Sequence, residues 1–170
     1  FKSLSGQIAR VQKGKQFLVF GDGELTACKP ISDRDLAKFL ASCLDDPKSR
    51  NQILPIGGPG KAMTARQQGE EIFKLLEEDV KIRSVPIGLM KAIVTGLSMI
   101  AKIFPSRRKA AELARIGHYY ATESMLVWDE ENGRYDANAT PSFGQDHLRD
   151  YYAAVINGEE TVERGEHSVF

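Results

Sequence analysis

The chain has 170 residues, of which 42% are hydrophobic and 27% charged, so it can build one globular domain with a buried core. Its 23 Lys and Arg residues balance its 23 Asp and Glu residues, which argues against a nucleic-acid-binding protein and against an acidic disordered chain. The two cysteines, Cys28 and Cys43, have neither a disulfide framework nor a metal-ligand spacing, and we expect both to be reduced core residues.

The first quarter of the chain predicts a short strand and an amphipathic helix. Residues 1–12 continue a helix or form an extended lead-in, residues 16–20 form a strand that ends in a glycine turn, and residues 26–31 are extended. Ser32 is placed to cap a helix that carries Asp33 and Asp35 in its first turn. Residues at helical spacing predict the buried face of this helix: Leu36, Phe39, Leu40, Cys43 and Leu44.

The middle of the chain predicts two further strands and three helices. Residues 52–56 read as a strand before the turn at residues 57–60, and Thr64 with Gln67 forms a capping-box pattern for a helix over residues 64–77. A strand over residues 80–85 precedes Pro86, which is placed to open a third helix with a wide apolar face. Pro105 ends that helix, and Ser106 is placed to cap a fourth.

The last part of the chain predicts a hairpin and a final helix. Residues 124–128 and 134–135 flank an acidic Asn-Gly loop, and residues 144–157 form a helix. The apolar run at residues 87–104 is not a transmembrane segment, because it contains Lys91 and Lys102. Residues 1–157 thus predict one α/β domain in which helices dominate, followed by a mobile polar tail at residues 158–170.

Several motifs in fixed order resemble the divinyl (proto)chlorophyllide 8-vinyl reductases, and the resemblance covers the chain up to about Ile156. In the first part of the chain these motifs are Phe1-Lys-Ser-Leu-Ser-Gly-Gln7, Phe20-Gly-Asp-Gly23, Ala27-Cys-Lys-Pro-Ile-Ser32 and Leu54-Pro-Ile-Gly-Gly-Pro-Gly-Lys61. Further along they are Lys102-Ile-Phe-Pro105, Ile116-Gly117, Tyr119-Tyr-Ala121, Glu123-Ser-Met-Leu126 and Thr140-Pro-Ser142.

The resemblance implies an oxidoreductase of chlorophyll biosynthesis. Members of this family resemble atypical extended short-chain dehydrogenases that use NADPH to reduce the C8 vinyl group of a magnesium tetrapyrrole to ethyl. The chain would then be the C-terminal, helix-rich substrate-side part of a Rossmann-type reductase, with the nucleotide-binding half missing. Expected surroundings are the plastid stroma or the thylakoid surface, with association with the thylakoid or a photosynthetic complex, no nucleic acid and no transmembrane segment.

The resemblance also directs attention to candidate binding residues, each with a structural alternative. Phe1 and Lys2 would border the nicotinamide of NADPH, or Phe1 would simply be a core residue. Lys29 would pair with a propionate of the substrate, or it would be an ordinary exposed amine. Gly57 and Gly58 would let backbone approach the substrate, or they would serve a turn that needs positive φ.

A planar tetrapyrrole needs an apolar slot with aromatic walls. Met90 and Ile93 would line this slot, with helix packing as the alternative. Tyr119, Tyr120 and Ser124 would supply a stacking wall or a proton relay, or the tyrosine tips would reach solvent. We predict no catalytic residue and no resident metal site. His118 would ligate the magnesium of the substrate, or it would be an ordinary histidine at the surface or at a helix end.

Arg107, Arg108 and Lys109 crowd the start of the fourth helix, where the helix dipole disfavours positive charge. This frustration suggests an anionic partner nearby, with a solvated face as the alternative.

Two other functions compete with the reductase hypothesis. The chain could be a catalytically silent, reductase-like structural subunit of a photosynthetic membrane complex. It could also be a redox-sensing or quinone-reducing relative that shares only the scaffold.

Overall fold

The computed structural model describes residues 1–161, and within them six α-helices and six short β-strands alternate with irregular segments. The helices are α1 (Ile8–Gln12), α2 (Asp33–Asp45), α3 (Ala65–Leu75), α4 (Ile87–Ile103), α5 (Arg108–Thr122) and α6 (Leu148–Ile156). The strands are β1 (Phe17–Phe20), β2 (Ala27–Cys28), β3 (Met63–Thr64), β4 (Ile82–Val85), β5 (Val127–Asp129) and β6 (Arg134–Asp136).

The strands form three two-stranded sheets. β1 and β4 are parallel, with Phe17 opposite Ile82, and the connection between them passes through α2 and α3. β2 and β3 are antiparallel, as are β5 and β6, in which Trp128 lies opposite Tyr135. A parallel pair joined through helices makes this a mixed α/β fold, as the sequence predicts.

The core lies where α1, α3 and α6 pack against β1. Its buried members come in pairs from these four elements: Ile8 and Val11, Phe17 and Val19, Ile72 and Phe73, and Leu148 and Tyr152. Gly69 of α3 lets the helix approach β1, because a Cβ there would lie 2.7 Å from Cδ1 of Phe17. The Tyr152 hydroxyl donates to the carbonyl oxygen of Leu4 at 3.2 Å and so ties the last helix to the first residues.

The predicted helix starts at Ser32 and Thr64 are confirmed. The Ser32 hydroxyl accepts a hydrogen bond from the backbone N–H of Asp35 at 2.9 Å. Thr64 and Gln67 form the complete capping box, in which each side chain accepts from the other residue's backbone N–H. The predicted hairpin is also present as β5 and β6.

The predicted strand at residues 52–56 is wrong. These residues are irregular, and the side chain of Ile53 is 96% exposed. The segment forms no ladder with a neighbouring strand, and a single bridge from Gly57 to Ser142 follows it. A short apolar run without a hydrogen-bonding partner does not become a strand, whatever its side-chain composition.

The predicted buried face of α2 is also wrong. Asp35 is the buried residue of this helix, whereas Leu40 and Leu44 are 58% and 82% exposed and Cys43 is half-buried. The rest of the predicted face is partly covered: Leu36 and Phe39 are half-buried, and the Phe39 ring packs against Phe143 with centroids 5.4 Å apart.

Two predicted helix starts are displaced. Ser106 lies in a single 3₁₀ turn, Pro105–Arg107, and α5 begins after Arg107 without a side-chain cap. The last helix begins at Leu148 rather than at residue 144, because Gly144 adopts φ +92° and the next two residues are held by a side chain of α2.

Among residues 1–161, the structure contains no helix that is both long and apolar enough to cross a bilayer. The predicted mobile tail begins at Gly158, which has positive φ, and its residues 158–161 are exposed. The rest of the predicted tail, residues 162–170, lies outside the described residues.

Candidate functional site

A cleft of about 590 Å³ opens beside the first residues of the chain, where Phe1 and Lys2 face the start of α2. The half-buried Phe1 ring packs against the ring of Tyr151, with centroids 5.6 Å apart and planes at 42°. The Lys2 ammonium lies 3.2 Å from Oδ2 of Asp33. The two residues predicted to border the nicotinamide therefore line one cleft together with Tyr151 of α6.

Asp35 and Asp146 hold the far wall of this cleft. The buried Asp35 carboxylate accepts hydrogen bonds from the backbone N–H groups of Gln145 and Asp146 at 2.8 and 2.9 Å. Gly144 makes this approach possible, because a Cβ there would lie 2.1 Å from Oδ2 of Asp35. Asp146 in turn accepts from the Ser32 hydroxyl at 2.6 Å and from the Arg34 guanidinium.

These contacts keep both carboxylates ionised. The backbone N–H of Asp146, then that of Gln145, and the Lys38 ammonium lower the pKa of Asp35 to about 2. The Arg34 guanidinium and the Ser32 hydroxyl hold the pKa of Asp146 below its ordinary value. Neither group can therefore act as a general acid near neutral pH, and both serve as fixed negative charges that shape the loop.

Tyr151 is a site residue that the sequence analysis assigned only to the apolar face of the last helix. Its hydroxyl oxygen is buried and has no hydrogen-bond partner among the described residues. The adjacent Tyr152 is different, because its hydroxyl has the carbonyl oxygen of Leu4 as acceptor. A buried hydroxyl without a partner is costly, so the Tyr151 hydroxyl is an unusual polar group at the cleft. No sequence pattern could distinguish it from its neighbour.

Lys29 lies on a second part of the site and is not an ordinary exposed amine. Its ammonium donates to the carbonyl oxygen of Thr140 at 2.7 Å and to the Ser142 hydroxyl at 3.0 Å. An ammonium has three N–H donors, so these two contacts leave one for an anionic group.

Close packing against residues 29–31 explains why positions 57 and 58 are glycine. The predicted alternative, a turn in which they adopt positive φ, is wrong. Both are buried, and neither has positive φ; in this turn that conformation belongs to Gly60, at +99°. A Cβ on Gly57 would lie 2.5 Å from Cβ of Lys29, and one on Gly58 would lie 1.8 Å from the carbonyl oxygen of Pro30. The absence of a side chain here lets the turn pack onto residues 29–31.

The base of the α4–α5 hairpin carries the predicted aromatic wall. The guanidinium of Arg115 donates to the Ser98 hydroxyl at 3.3 Å, which sets the antiparallel register of the two helices and brings Ile93 level with Tyr120. Tyr119 and Tyr120 are 57% and 50% exposed, with ring centroids 6.1 Å apart. Ile93 is 41% exposed, whereas Met90 is buried, so helix packing accounts for Met90.

More aromatic surface adjoins this wall than the sequence analysis identified. Trp128 and Tyr135 are cross-strand neighbours in the β5–β6 hairpin, with ring centroids 5.0 Å apart. The Tyr135 hydroxyl donates to Oε2 of Glu123 at 2.5 Å, and this carboxylate, with burial, raises the pKa of Tyr135 to about 12. Glu123 directly follows α5, so this bond brings the β5–β6 hairpin to the end of the helix that carries Tyr119 and Tyr120.

The extended segment at residues 27–31 joins the cleft to the aromatic wall. Ala27 donates its backbone N–H to the Ser124 hydroxyl at 3.0 Å, at the end of α5. Ile31 accepts at 3.0 Å from the backbone nitrogen of Phe1, beside the cleft. Four Cα–Cα steps separate these two residues, so their Cα atoms lie at most about 15 Å apart. One short segment thus fixes the spacing of the two surfaces.

The chain matches proteins from several flowering plants along almost its whole length. It is 52% identical over 167 residues to the chloroplastic divinyl chlorophyllide a 8-vinyl-reductase of Arabidopsis thaliana, covering 98% of this chain and 40% of that protein. The reductases of the same name from Cucumis sativus and Zea mays are 50% and 48% identical over 171 residues, with 41% and 43% of their lengths covered. No family model matches the chain.

The chain is similar over almost its whole length to one portion of the divinyl chlorophyllide a 8-vinyl-reductases. This similarity confirms the resemblance indicated by the motifs. The chain spans about two fifths of the length of these relatives, so the cleft and the aromatic wall lie within the portion that it matches.

The charges of the cleft limit which end of a dinucleotide it fits. The acidic residues that line the cleft are Asp33, Asp146, Asp150 and Glu160. They outnumber the permanently cationic residues of the lining, which are Lys2 and Arg34. Such a lining repels phosphates. The Phe1 and Tyr151 rings offer an apolar surface that an uncharged ring fits better than a phosphate does.

Proposed function

We propose that this chain forms the substrate-side part of an NADPH-dependent reductase that converts the 8-vinyl group of divinyl chlorophyllide or protochlorophyllide to ethyl. The observation that carries the proposal is the identity of 48–52% to divinyl chlorophyllide a 8-vinyl-reductases over nearly the whole chain. Identity at this level includes the segments that build the cleft and the aromatic wall.

In this proposal the cleft at Phe1 and Lys2 receives the nicotinamide. NADPH, when bound, supplies the hydride for the vinyl group. The Phe1 ring offers an apolar face to the nicotinamide, and Tyr151 positions that face through the ring contact of 5.6 Å. Lys2, whose ammonium lies 3.2 Å from Oδ2 of Asp33, is the polar side chain beside the position proposed for the carboxamide.

The aromatic wall receives the magnesium tetrapyrrole. Tyr119 and Tyr120 are half-exposed and offer stacking surface, and Ile93 adds an aliphatic contact on the facing helix. Met90 supports the wall from behind, since it is buried. The Ser124 hydroxyl accepts from Ala27 and keeps its own proton free to donate, so it can act in a proton relay.

Lys29 lies on the segment between these two surfaces, and Gly57 and Gly58 pack against that segment. The third N–H donor of Lys29 would pair with a substrate propionate. Gly57 and Gly58 act indirectly, because their packing onto residues 29–31 fixes where the Lys29 side chain starts.

We place the reaction in the plastid, at the thylakoid surface. Relatives of this chain carry the word chloroplastic in their names. A membrane location also suits a protein with exposed apolar side chains on α4, which include Met99, Ile103 and Phe104.

The proposal is tested with the intact reductase, purified and supplied with divinyl chlorophyllide and either NADPH or NADH. We expect monovinyl product with NADPH, and we expect Tyr119→Glu to raise the KM for the pigment by roughly 10-fold or more, because a charge replaces stacking area. The KM for NADPH should stay within about twofold.

Ile53→Glu is the matched control, because Ile53 is 96% exposed and lies in the irregular segment before Gly57. This variant should leave both KM values unchanged. Absence of vinyl reduction with either cofactor would reject the function, whereas an unchanged pigment KM in Tyr119→Glu would reject the position of the wall.

A further inference from the structure

The tip of the α4–α5 hairpin combines exposed apolar side chains with clustered positive charge. Residues 102–109, which join α4 to α5, are all exposed. Met99, Ile100, Ile103 and Phe104 are 59%, 45%, 73% and 58% exposed. Their spacing places these four residues on one side of the last two turns of α4, so they form a continuous apolar surface.

The charge around this surface has one sign. Residues 80–111 contain no Asp or Glu, although the whole chain carries equal numbers of acidic and basic residues. Seven basic residues occur in the same stretch: Lys81, Arg83, Lys91, Lys102, Arg107, Arg108 and Lys109. Four of them, Lys102 and residues 107–109, lie within the exposed tip.

The start of α5 disfavours the positive charges of Arg107 and Arg108. Arg107 is the N-cap of this helix and makes no side-chain capping bond, and the helix dipole is positive at this end. A groove of about 530 Å³ opens beside them, lined by Leu97, Ile100, Phe104, Ser106 and Arg107. Both an acyl chain and a negatively charged headgroup therefore have a place at the tip.

Two other exposed apolar side chains lie in different electrostatic surroundings. Leu44 precedes Asp45 and Asp46, and Trp128 precedes Asp129 and two glutamates. Acidic neighbours of this kind suit a protein partner and oppose an anionic membrane. The hairpin tip, in contrast, is an apolar surface whose charge complements a bilayer with anionic lipids.

We propose that the hairpin tip, defined as residues 99–109, docks the reductase onto a bilayer that contains anionic lipid. Ile103 and Phe104 enter the boundary between headgroups and acyl chains, and the tip cations contact lipid phosphates. The inference rests on the proposed membrane location, but not on the reductase activity.

This docking would orient the aromatic wall. Ten residues of α4 separate Ile93 from Ile103, which corresponds to about 15 Å along the helix. The wall would thus lie about 15 Å above the inserted side chains if the hairpin stood upright, at a height that an amphipathic pigment could reach from the interface.

The test uses the intact reductase and flotation with vesicles of phosphatidylcholine, with or without about 30% phosphatidylglycerol. The unmodified protein should bind vesicles with phosphatidylglycerol more strongly. The combined variant Arg107→Gln, Arg108→Gln and Lys109→Gln should lower that partitioning roughly 100-fold. Each basic residue contributes about 1 kcal/mol to binding at an anionic surface, and each 1.4 kcal/mol changes partitioning about tenfold. Ile103→Ser with Phe104→Ser should weaken binding to both vesicle types.

The matched control removes three lysines from other exposed positions, Lys13, Lys15 and Lys48. It should bind like the unmodified protein if the tip is the docking surface. Equal losses in the control and the tip variant would reduce the effect to net charge and overturn the proposal.

Two further results would also overturn it. The unmodified protein could fail to float with either vesicle, or the Ser variants could lose thermal stability while vesicle binding stays the same. The second result would mean that a protein surface covers the tip. Turnover of detergent-solubilised pigment is measured in parallel, because lost docking with retained turnover separates this inference from the reductase function.

Discussion

Replacement of Lys29 by methionine decides whether its ammonium is a structural clamp, a contact for the substrate propionate, or both. Methionine keeps an unbranched apolar stem of similar length and removes the donors. The change deletes the bonds to the carbonyl oxygen of Thr140, at 2.7 Å, and to the Ser142 hydroxyl, at 3.0 Å. A bond from a charged donor contributes about 1.5–3 kcal/mol, and the partly exposed contact to Ser142 adds less.

We therefore expect Lys29→Met to lower the free energy of unfolding of the intact reductase by about 2–3 kcal/mol. The assay is urea denaturation followed by fluorescence, with Ser142→Ala and the double variant completing a mutant cycle. The cycle should give a coupling energy of about 1 kcal/mol between Lys29 and Ser142. Lys15→Met, at an exposed position, should change stability by less than about 0.5 kcal/mol.

Kinetics on the same variants separate the two roles. A pure clamp predicts that the pigment KM rises in Lys29→Met no more than in Ser142→Ala. Lys29→Met could instead be as stable as Lys15→Met and be the one variant with a raised pigment KM. That result would refute the structural clamp and assign the Lys29 amine to the substrate.

Three more predictions follow from contacts in and around the site. Because its pKa is depressed to about 2, Asp35 should stabilise the fold fully above about pH 4 and lose that contribution as the pH falls toward 2. Amide exchange at Gln145 and Asp146 should accelerate over the same pH range, and Asp35→Asn should remove this pH dependence. Gly58→Ala should lower the free energy of unfolding by at least about 3 kcal/mol in denaturant titrations, because a Cβ would lie 1.8 Å from the carbonyl oxygen of Pro30. Gly88→Ala, with open space around its Cβ position, should be neutral or stabilising. Equal effects of the two variants would contradict the packing argument. Tyr152→Phe should cost about 1 kcal/mol by loss of the bond to Leu4. Tyr151→Phe should be neutral or stabilising, since its hydroxyl has no partner within residues 1–161. The reverse order in thermal unfolding would show that the two tyrosines are assigned the wrong way round.

Local signals in the sequence predicted the parts of the fold that depend on neighbouring residues. Ser32 and Thr64 cap helices because their side chains reach N–H groups three residues away, and that distance is written in the sequence. The hairpin of β5 and β6 follows from an Asn-Gly loop between two apolar segments in the same way.

The errors arose where a distant partner decides the outcome. Residues 52–56 have strand-like composition, yet no strand within residues 1–161 pairs with them. The last helix starts late because Asp35, about 110 residues earlier, captures the backbone N–H groups of Gln145 and Asp146. A single sequence contains no signal for such a contact.

The same limit applies to the site. Family motifs led to Phe1, Lys29 and Tyr119, and the structure adds what they touch. Tyr151 could not be chosen over Tyr152 from sequence, because the two differ only in which one faces the carbonyl oxygen of Leu4. Gly57 and Gly58 were singled out correctly as special positions, but the reason is contact with residues 29–31, which requires coordinates.

The contact between Tyr152 and Leu4 has a consequence for how the protein is made. The core elements α1 and β1 leave the ribosome before α6, which completes their packing and comes about 130 residues later. At roughly 5–20 residues per second, this delay amounts to about 7–26 s. During that interval Ile8, Val11 and Phe17 lack a lasting partner on one side, so newly made chains should depend on chaperones that bind apolar segments until α6 has been synthesised.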